Sequence, residues 1–277
     1  MSAAGHERRP VSQTARCRVT SWRPGLEEPL SLDLIREAPL AVQVEGAPYA
    51  VIMRTPGDEI AHAAGFCLSE GLVDSPEDFG ALAFHGEFDP HTVSVTLTVD
   101  RRRRVADLLA RRGTNVPAGC GTCVRGEAAA SSRMPTPPRG GWPDLAGAVD
   151  ALLDLVRRQP LRDRTRATHA AALCGRDLEI LTVAEDVGRH NALDKAVGRL
   201  FLAGGLPEAA VLLLSSRISC DLVQKAARAG LGYVFSISRP TSLALSLATS
   251  LGIAIGCLSP GDGLYLFDRR GDADASP

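Results

Sequence analysis

The second half of the chain alternates short apolar runs with longer amphipathic runs, and this alternation constrains the fold more than any other feature. The short runs, rich in Val, Ile and Leu, predict strands at 180–183, 211–214, 233–237, 253–258 and 264–267. Between them, apolar residues spaced by three or four positions predict helices at 189–202, 221–229 and 242–249. A further helical pattern begins near Leu145, and Pro160 is expected to end it. Strands and helices in alternation predict an α/β domain, a buried sheet with helices on its faces.

Composition divides the chain into four regions. Residues 1–20 are small and polar and predict a disordered tail, whereas residues 21–112 carry mixed patterns that predict a smaller α+β domain. Residues 113–141 are dominated by Gly, Pro, Ser and Thr without periodicity, which predicts a long functional loop at the domain boundary. Residues 142–270 are the predicted α/β domain.

Within the smaller domain, residues 38–53 contain two apolar stretches around a Glu-Gly pair and predict a hairpin. A helix is predicted next, with Thr55 as its N-cap and Gly71 at its end. Residues 92–99 alternate Val and Thr, as a half-buried strand does. After this strand, Asp100 is expected to cap a helix whose arginines face solvent.

The 277 residues carry a formal net charge of −1, and this balance does not indicate nucleic acid as a partner. Hydrophobic residues make up 45% of the chain, enough for a core without disulfides. The sequence opens without a secretory signal pattern, and no apolar run has the length of a membrane span. We therefore expect a cytoplasmic protein that binds neither nucleic acid nor membrane and whose seven cysteines stay reduced.

The most reactive feature of the predicted loop is the Cys120-Gly121-Thr122-Cys123 sequence. Cys120 lies between two glycines, so its thiolate is expected to be exposed and mobile, as carrying sulfur between two partners requires. Cys123 could share or release that sulfur by thiol–disulfide exchange. A zinc half-site and a thioredoxin-like redox pair remain alternative interpretations of this spacing. A closed zinc site needs four ligands, however, and the sequence has no second Cys-x-x-Cys pair.

A dense group of polar residues follows the predicted strand at 180–183. Because ligands bind at the carboxyl ends of strands in open α/β sheets, this group predicts a ligand site. Its members are Asp186, Arg189, His190, Asn191, Asp194 and Lys195. A capped helix with solvated ion pairs is the alternative interpretation.

The ends of the next two strands carry further arginines and hydroxyl groups. They are Ser215 and Arg217 after one strand, and Arg239, Thr241 and Ser242 after the next. Helix N-termini bind phosphate groups and arginine pairs with them, so these residues predict a pyrophosphate or nucleoside diphosphate site. The chain has neither a Walker loop nor a Gly-x-Gly-x-x-Gly sequence, which excludes an ordinary NTPase or dinucleotide enzyme. His169 is a weaker candidate for the same crevice.

The cysteine pair and the segments at 185–195, 222–227 and 240–244 closely resemble the FdhD family of formate dehydrogenase accessory sulfurtransferases. The resemblance implies that Cys120 accepts persulfide sulfur from a cysteine desulfurase. It further implies that this sulfur passes to the bis-molybdopterin guanine dinucleotide cofactor, which formate dehydrogenase requires for activity.

The same resemblance implies a cytidine deaminase-like αβα sandwich in the larger domain and a homodimer. We expect no zinc, because the sequence lacks a second Cys-x-x-Cys pair. The resemblance implies that the guanine nucleotide part of the cofactor, or GDP as its analogue, is bound, and it adds Leu258 and Gly261 to the binding residues. The chain departs from the family pattern at 259–262, where the family has arginines around a Gly pair. It departs again at 167–169, where the family has a glycine before the histidine.

Two other functions remain open. One is a molybdenum-cofactor chaperone that binds the cofactor without moving sulfur. The other is a zinc-dependent hydrolase of the deaminase type, whose chemistry uses a His-x-Glu sequence. In this chain Ala170 and Ala171 follow His169, so the glutamate is missing.

Overall fold

The computed structural model describes residues 12–86, 89–110, 141–261 and 263–267. Its first element is an antiparallel hairpin of two ten-residue strands, β1 (Thr14–Arg23) and β2 (Leu26–Ile35). The disordered tail predicted for residues 1–20 is therefore wrong from Thr14 onward. Arginine and threonine alternate with the Ala, Cys and Val of β1, so its composition resembles that of the polar tail before it.

A four-stranded sheet follows, with the order β4-β3-β6-β5. Its strands are β3 (Ala38–Val44), β4 (Ala47–Arg54), β5 (Phe79–Phe84) and β6 (Thr92–Leu97). The hairpin predicted at 38–53 is confirmed, because β3 and β4 pair antiparallel. Glu45 and Gly46, between these strands, have φ angles of 54° and 75°, as a two-residue hairpin turn of this kind requires.

Helix α1 (Glu59–Ser69) packs on this sheet but begins later than predicted. Its N-cap is Asp58, whose backbone is left-handed and whose side chain makes no cap hydrogen bond, so the predicted Thr55 cap is wrong. The predicted end is confirmed, because Gly71 has a φ of 76° and its amide donates to the carbonyl oxygen of Leu68.

The arginine-rich segment forms two short helices, α2 (Val99–Arg104) and α3 (Ala106–Ala110), where one was predicted. Thr98 caps α2 in place of Asp100, since its side chain accepts a hydrogen bond from the amide of Arg101.

Arg101 corrects the expectation that the arginines of this segment face solvent. It is only 3% exposed, and its guanidinium donates to the carbonyl oxygens of Gly71 and Leu72, each at 2.8 Å. It also pairs with Asp74. Arg101 therefore satisfies carbonyl groups that follow the end of α1, and a charge pattern read along one helix cannot reveal such a partner.

A six-stranded sheet forms the centre of the second half, with the order β12-β11-β10-β9-β7-β8. Its strands are β7 (His169–Cys174), β8 (Ile180–Asp186), β9 (Val211–Leu214), β10 (Tyr233–Ser236), β11 (Ala254–Ser259) and β12 (Gly263–Phe267). The strands β9, β10 and β11 are parallel, and β7 is antiparallel to both β8 and β9. The strands β8 to β11 therefore all run in one direction, opposite to β7 and β12.

Two helices precede these strands and three connect them, and the mixed α/β class is confirmed. They are α4 (Leu145–Arg157), α5 (Pro160–Thr165), α6 (Arg189–Leu202), α7 (Cys220–Arg228) and α8 (Ser242–Leu251). The bounds predicted for α6 and β9 are those observed, while α5 and β7 were not predicted. Pro160 both follows α4 and occupies the first turn of α5, where its fixed φ suits a helix start.

Helices lie on both faces of the six-stranded sheet. On one face α4 packs over Ala172, Leu213 and Phe235. On the other face α6, α7 and α8 share a core with α1 and the smaller sheet, which contributes Leu40 and Val95. The two sheets are thus joined by one continuous hydrophobic core. Among the described residues, no helix has the length and apolar composition needed to span a membrane.

Two glycines allow α1 and α6 to cross at close range. A Cβ on Gly65 would collide with the carbonyl oxygen of Asp194, and a Cβ on Gly198 would collide with that of Ala61. Because only glycine lacks this atom, the backbones of the two helices come into direct contact. This crossing fixes the position of the smaller sheet relative to α6.

The β1–β2 hairpin is attached mainly at its base. Arg164 of α5 pairs with Asp33 at 3.0 Å and donates to the Thr14 hydroxyl at the same distance. Along one face, Leu30, Leu32 and Leu34 are 36%, 47% and 46% exposed. The hairpin therefore presents a row of leucines to solvent.

Candidate functional site

The carboxyl ends of β8, β9 and β10 meet at one edge of the six-stranded sheet, where α6, α7 and α8 begin. We call this region the strand edge. The end of β11 lies there, as does the start of β7, where His169 is opposite Asp186 in register. The residues predicted from the strand ends therefore lie along a common edge, although their side chains point in different directions.

Asp186 is fully buried and turns toward the smaller sheet. Its carboxylate accepts hydrogen bonds from the Thr55 amide at 3.0 Å, from the Gly188 amide at 2.9 Å and from Asn191 Nδ2 at 2.9 Å. Lys195 Nζ, also fully buried, lies 2.7 Å from the same carboxylate and donates to the Thr55 carbonyl oxygen at 2.7 Å. This network joins the start of α6 to the chain that follows β4.

Asp194 is 2% exposed and has a similar connecting position. Its carboxylate pairs with Lys225 of α7 at 2.7 Å and accepts from the Ser69 hydroxyl of α1 at 2.9 Å. Burial raises the pKa of Asp194, although Lys225 and Ser69 act to lower it. Four of the predicted binding residues therefore form contacts between elements of the fold: Asp186, Asn191, Asp194 and Lys195.

The arginines of the second and third strand ends point to solvent. The Arg217 side chain is exposed and forms no hydrogen bond or ion pair within the described part of the chain, and Cζ of Arg239 lies 5.5 Å from the Tyr265 ring centroid. Thr241 is exposed, and its Oγ1 caps α8 by accepting from the Ala244 amide at 3.2 Å. The neighbouring Ser242 is exposed as well.

The loops that carry these arginines run side by side. The Thr241 amide donates to the Ile218 carbonyl oxygen at 3.0 Å, and Ile218 and Pro240 form a parallel bridge. Ser215 is 6% exposed, and its Oγ accepts from the Ala170 amide at 2.7 Å, so it extends the contact between β7 and β9. The exposed side chains of Arg217 and Arg239 therefore extend from loops whose backbones are fixed by hydrogen bonds.

A half-buried group of His169, Arg189 and His190 lies at the β8 end of the strand edge. His190 Nε2 is 3.4 Å from Ser219 Oγ and 3.6 Å from an Asp221 carboxylate oxygen. Burial, with help from Lys225 and Arg189, lowers the pKa of His190 to about 4, so its contact with Asp221 is not an ion pair at neutral pH. Burial also lowers the pKa of His169.

The remaining predicted residues lie near the end of the chain or outside the described residues. Leu258 is half-buried near the end of β11, and Gly261 is exposed in the following turn with a φ of 79°. Cys120 and Cys123 lie outside the described residues. Among the residues that the structure describes, no group of three His, Cys, Asp or Glu side chains could hold a metal ion.

Sequence reasoning did not single out Arg162, which the structure places beside His169. Its Nη1 donates to the carbonyl oxygen of Thr168 at 3.2 Å. Arg162 lies in α5, which follows α4 and not a strand, so the pattern that identified the other arginines does not apply to it. An unpredicted helix, α5, brings it to the strand edge.

Comparisons with known proteins give a consistent result. The model of the FdhD/NarQ family matches residues 35–271. The Sulfur carrier protein FdhD of Streptomyces coelicolor is 36% identical over 251 residues, covering 87% of this chain and 89% of that protein. The protein of the same name from Mycobacterium tuberculosis is 36% identical over 248 residues, covering 84% of this chain and 88% of its own.

A solved structure has the same fold. It belongs to a candidate formate dehydrogenase accessory protein from Desulfotalea psychrophila and superposes with a TM-score of 0.72 at 21% sequence identity. The superposition covers 93% of this chain and 97% of the other.

Proposed function

The chain belongs to the FdhD/NarQ family, and we propose on that premise that it is a sulfur carrier acting in formate dehydrogenase maturation. The observation that carries this proposal is the family match over residues 35–271, which includes both the cysteine pair and the strand edge. The relatives that share this match are named sulfur carrier proteins.

Cys120 is the proposed carrier, with a cysteine desulfurase as donor. The Cys120 thiolate attacks the terminal sulfur of the donor's persulfide, a new S–S bond forms, and the donor leaves as a thiolate. No net oxidation occurs in this exchange, because one S–S bond replaces another. The protein is then a sulfurtransferase that holds one extra sulfur atom on Cys120.

Cys123 supplies a route for release of that sulfur. Its thiolate can attack Cys120 Sγ, form a Cys120–Cys123 disulfide and expel the terminal sulfur as hydrosulfide. A thiol reductant then returns both cysteines to the reduced state. Such chemistry fits the cytoplasm, where thiols are kept reduced, and we propose that compartment for the protein.

The proposed acceptor is bis-molybdopterin guanine dinucleotide, a substrate bound at the strand edge by its nucleotide part. Exposed cations at the helix starts support this assignment, because arginine and helix N-termini both bind phosphate. The residues proposed to make the contacts are Arg189, Arg217, Arg239, Thr241 and Ser242. GDP is the expected analogue.

Further proposals concern fold relationship and assembly. The helices on both faces of the six-stranded sheet are compatible with the cytidine deaminase-like sandwich that the family resemblance implies. We propose a relationship of fold without the zinc chemistry. We also propose a homodimer that meets a cysteine desulfurase and a formate dehydrogenase in turn.

Intact-mass measurement after incubation with a cysteine desulfurase and cysteine tests the function. The wild-type protein should gain about 32 Da, the mass of one sulfur atom, as a persulfide. Cys120→Ala should abolish both this gain and the activation of formate dehydrogenase, whereas Cys123→Ala should slow activation with less effect on loading. Loading of Cys120→Ala would refute the carrier assignment. If the wild-type protein never loads sulfur yet supports activation, a cofactor chaperone replaces the sulfur carrier.

A further inference from the structure

Arg162, His169 and Arg189 form a corner of the strand edge, where β7 begins and β8 ends. The Arg162 guanidinium lies next to the start of β7, since its Nη1 donates to the Thr168 carbonyl oxygen at 3.2 Å. Arg189 is the first residue of α6, directly after β8. Both guanidinium groups act with burial, the largest cause, to lower the pKa of His169. The corner thus combines two cations with a neutral imidazole.

The carboxylates next to this corner are bound by other groups. Glu185 accepts hydrogen bonds from the amides of Leu161 and Arg162 and from the Thr168 hydroxyl, each at 2.9 Å. Asp186 is fully buried against Lys195. Among the described residues, no carboxylate forms an ion pair with Arg162 or Arg189. Both guanidinium groups of the corner are therefore available to pair with an anionic ligand, which would not have to displace a carboxylate.

Two nitrogen atoms of the corner are buried without a hydrogen-bond partner. They are Arg189 Nε and His169 Nδ1. Buried polar atoms are rarely left unpaired in folded proteins, because losing contact with water without a replacement is unfavourable. Unpaired nitrogens in a positively charged corner indicate a position for the oxygen atoms of an anionic ligand.

We propose that Arg162, His169 and Arg189 together bind a phosphate group of the nucleotide that occupies the strand edge. The proposal rests on the proposed nucleotide-binding function. It adds Arg162 as a binding residue and assigns the corner a phosphate group, distinct from the exposed arginines Arg217 and Arg239. Arginine suits this role, because its planar guanidinium can donate two parallel hydrogen bonds to one phosphate.

Calorimetric titration with GDP and with guanosine tests the corner. Arg162→Ala should weaken GDP binding roughly 10- to 100-fold, the range expected when a charge-assisted hydrogen bond is lost, and should leave guanosine binding unchanged. Arg162→Lys keeps the positive charge and should recover part of the GDP affinity. The matched control is Arg166→Asn, which removes an exposed charge near the same helix. Asn tolerates the left-handed backbone at that position, where φ is 58°.

The two proposals fail in different ways. If Arg217→Ala weakens GDP binding while Arg162→Ala behaves like Arg166→Asn, the corner is refuted and the nucleotide site stands. If the wild-type protein binds no GDP, the nucleotide site and the corner are both refuted. If Arg162→Ala weakens guanosine and GDP equally, Arg162 acts on the fold or on the base, and the phosphate contact is refuted.

The imidazole of His169 gives a readout that a purely structural role would not affect. The charged groups that act on it are Arg189 and Arg162. His190 lies close enough for the two rings to influence each other, but its pKa of about 4 leaves it neutral in the range where His169 titrates. A bound phosphate dianion should raise the pKa of His169, measured by NMR titration of its ring, because it favours the imidazolium form. Arg162→Ala should raise the same pKa without ligand, since one neighbouring cation is removed. A His169 titration that GDP leaves unchanged would contradict the proposal.

Discussion

At the scale of single residues, the buried ion pair of Lys195 and Asp186 connects the six-stranded sheet and its helix α6 with the smaller sheet. Both side chains are fully buried and 2.7 Å apart, so each has lost its hydration. An effective desolvation penalty of several kcal/mol per ion is offset only when the remaining donors and acceptors are also bound. Here the Thr55 backbone supplies both a carbonyl oxygen and an amide. The pair therefore specifies where the chain after β4 meets α6.

His62 of α1 makes the stability of the protein depend on pH. The ring is fully buried, both ring nitrogens lack a hydrogen-bond partner, and burial with nearby Lys195, Lys225 and Arg54 keeps its pKa well below the usual value. An unfolded chain protonates its histidines at about pH 6.5. Below that pH the unfolded state takes up a proton that the folded state excludes. The free energy of unfolding should therefore fall with decreasing pH, by roughly 1.4 kcal/mol per pH unit for this group.

Urea denaturation at several pH values below neutrality measures this slope. His62→Leu removes the titrating group, so its slope should be smaller by about one proton, whatever its stability at neutral pH. His190, whose pKa is about 4, contributes a second proton in the same direction and remains in the variant. A slope equal to that of the wild-type protein would exclude His62 as the source.

The candidate site illustrates which properties of a residue can be predicted from the amino-acid sequence and which cannot. The order of strands and helices places Asp186, Arg189 and Arg217 at strand ends, and the structure has them at one edge. The direction of each side chain depends on a partner more distant in the chain. Thr55, for example, is 131 positions away from Asp186. Sequence periodicity describes one element at a time, so it cannot separate the inward Asp186 from the outward Arg217.

At the scale of elements, the crossing of α1 and α6 leaves no space for a side chain at Gly198. A Cβ there would collide with the Ala61 carbonyl oxygen and lie 2.9 Å from the Gly65 amide nitrogen. These are backbone atoms of a packed helix, which cannot rotate away as a side chain can. Gly198→Ala should therefore lower the free energy of unfolding by at least about 2 kcal/mol, as overpacked cores do.

Gly205, just beyond the end of α6, provides the control. Its φ is −88°, and a Cβ there would meet its nearest neighbour, Leu200, at an ordinary 3.6 Å. Gly205→Ala should be neutral or slightly stabilising, because it restricts the unfolded chain without strain. Equal stability of the two variants in thermal or urea unfolding would show that the helices can separate without cost.

The elements of the second half could be predicted because each is defined by its own periodicity. The bounds of α6 and β9 coincide with the prediction, since an amphipathic helix and a fully apolar strand both give strong patterns. The misses share a different cause. β1 was assigned by its polar composition, which is like that of the tail before it, although its polar and apolar residues alternate as in a half-buried strand, and α5 has only six residues. Elements like these depend on contacts with other parts of the fold more than on their own pattern.

At the scale of the whole molecule, the two sheets have one core between them. Residues of the smaller sheet, such as Leu40, belong to the same buried cluster as Leu193 of α6 and Leu214 of β9. Removing either sheet would expose the apolar surface of the other. The two sheets should therefore lose their structure together, and the glycine crossing and the buried ion pair both reinforce that coupling.

The β1–β2 hairpin stands apart from this shared core, and its base is the main point of attachment. Two-stranded hairpins are marginally stable in water, so this one should open many times while the rest of the protein stays folded. In a hydrogen–deuterium exchange experiment, the amides of β1 and β2 should exchange well before those of the central strands β9 and β10. Protection of the hairpin equal to that of β9 would mean that its leucine row is covered in solution. The rate at which these amides exchange thus reports whether the hairpin is free in solution or held against another molecule.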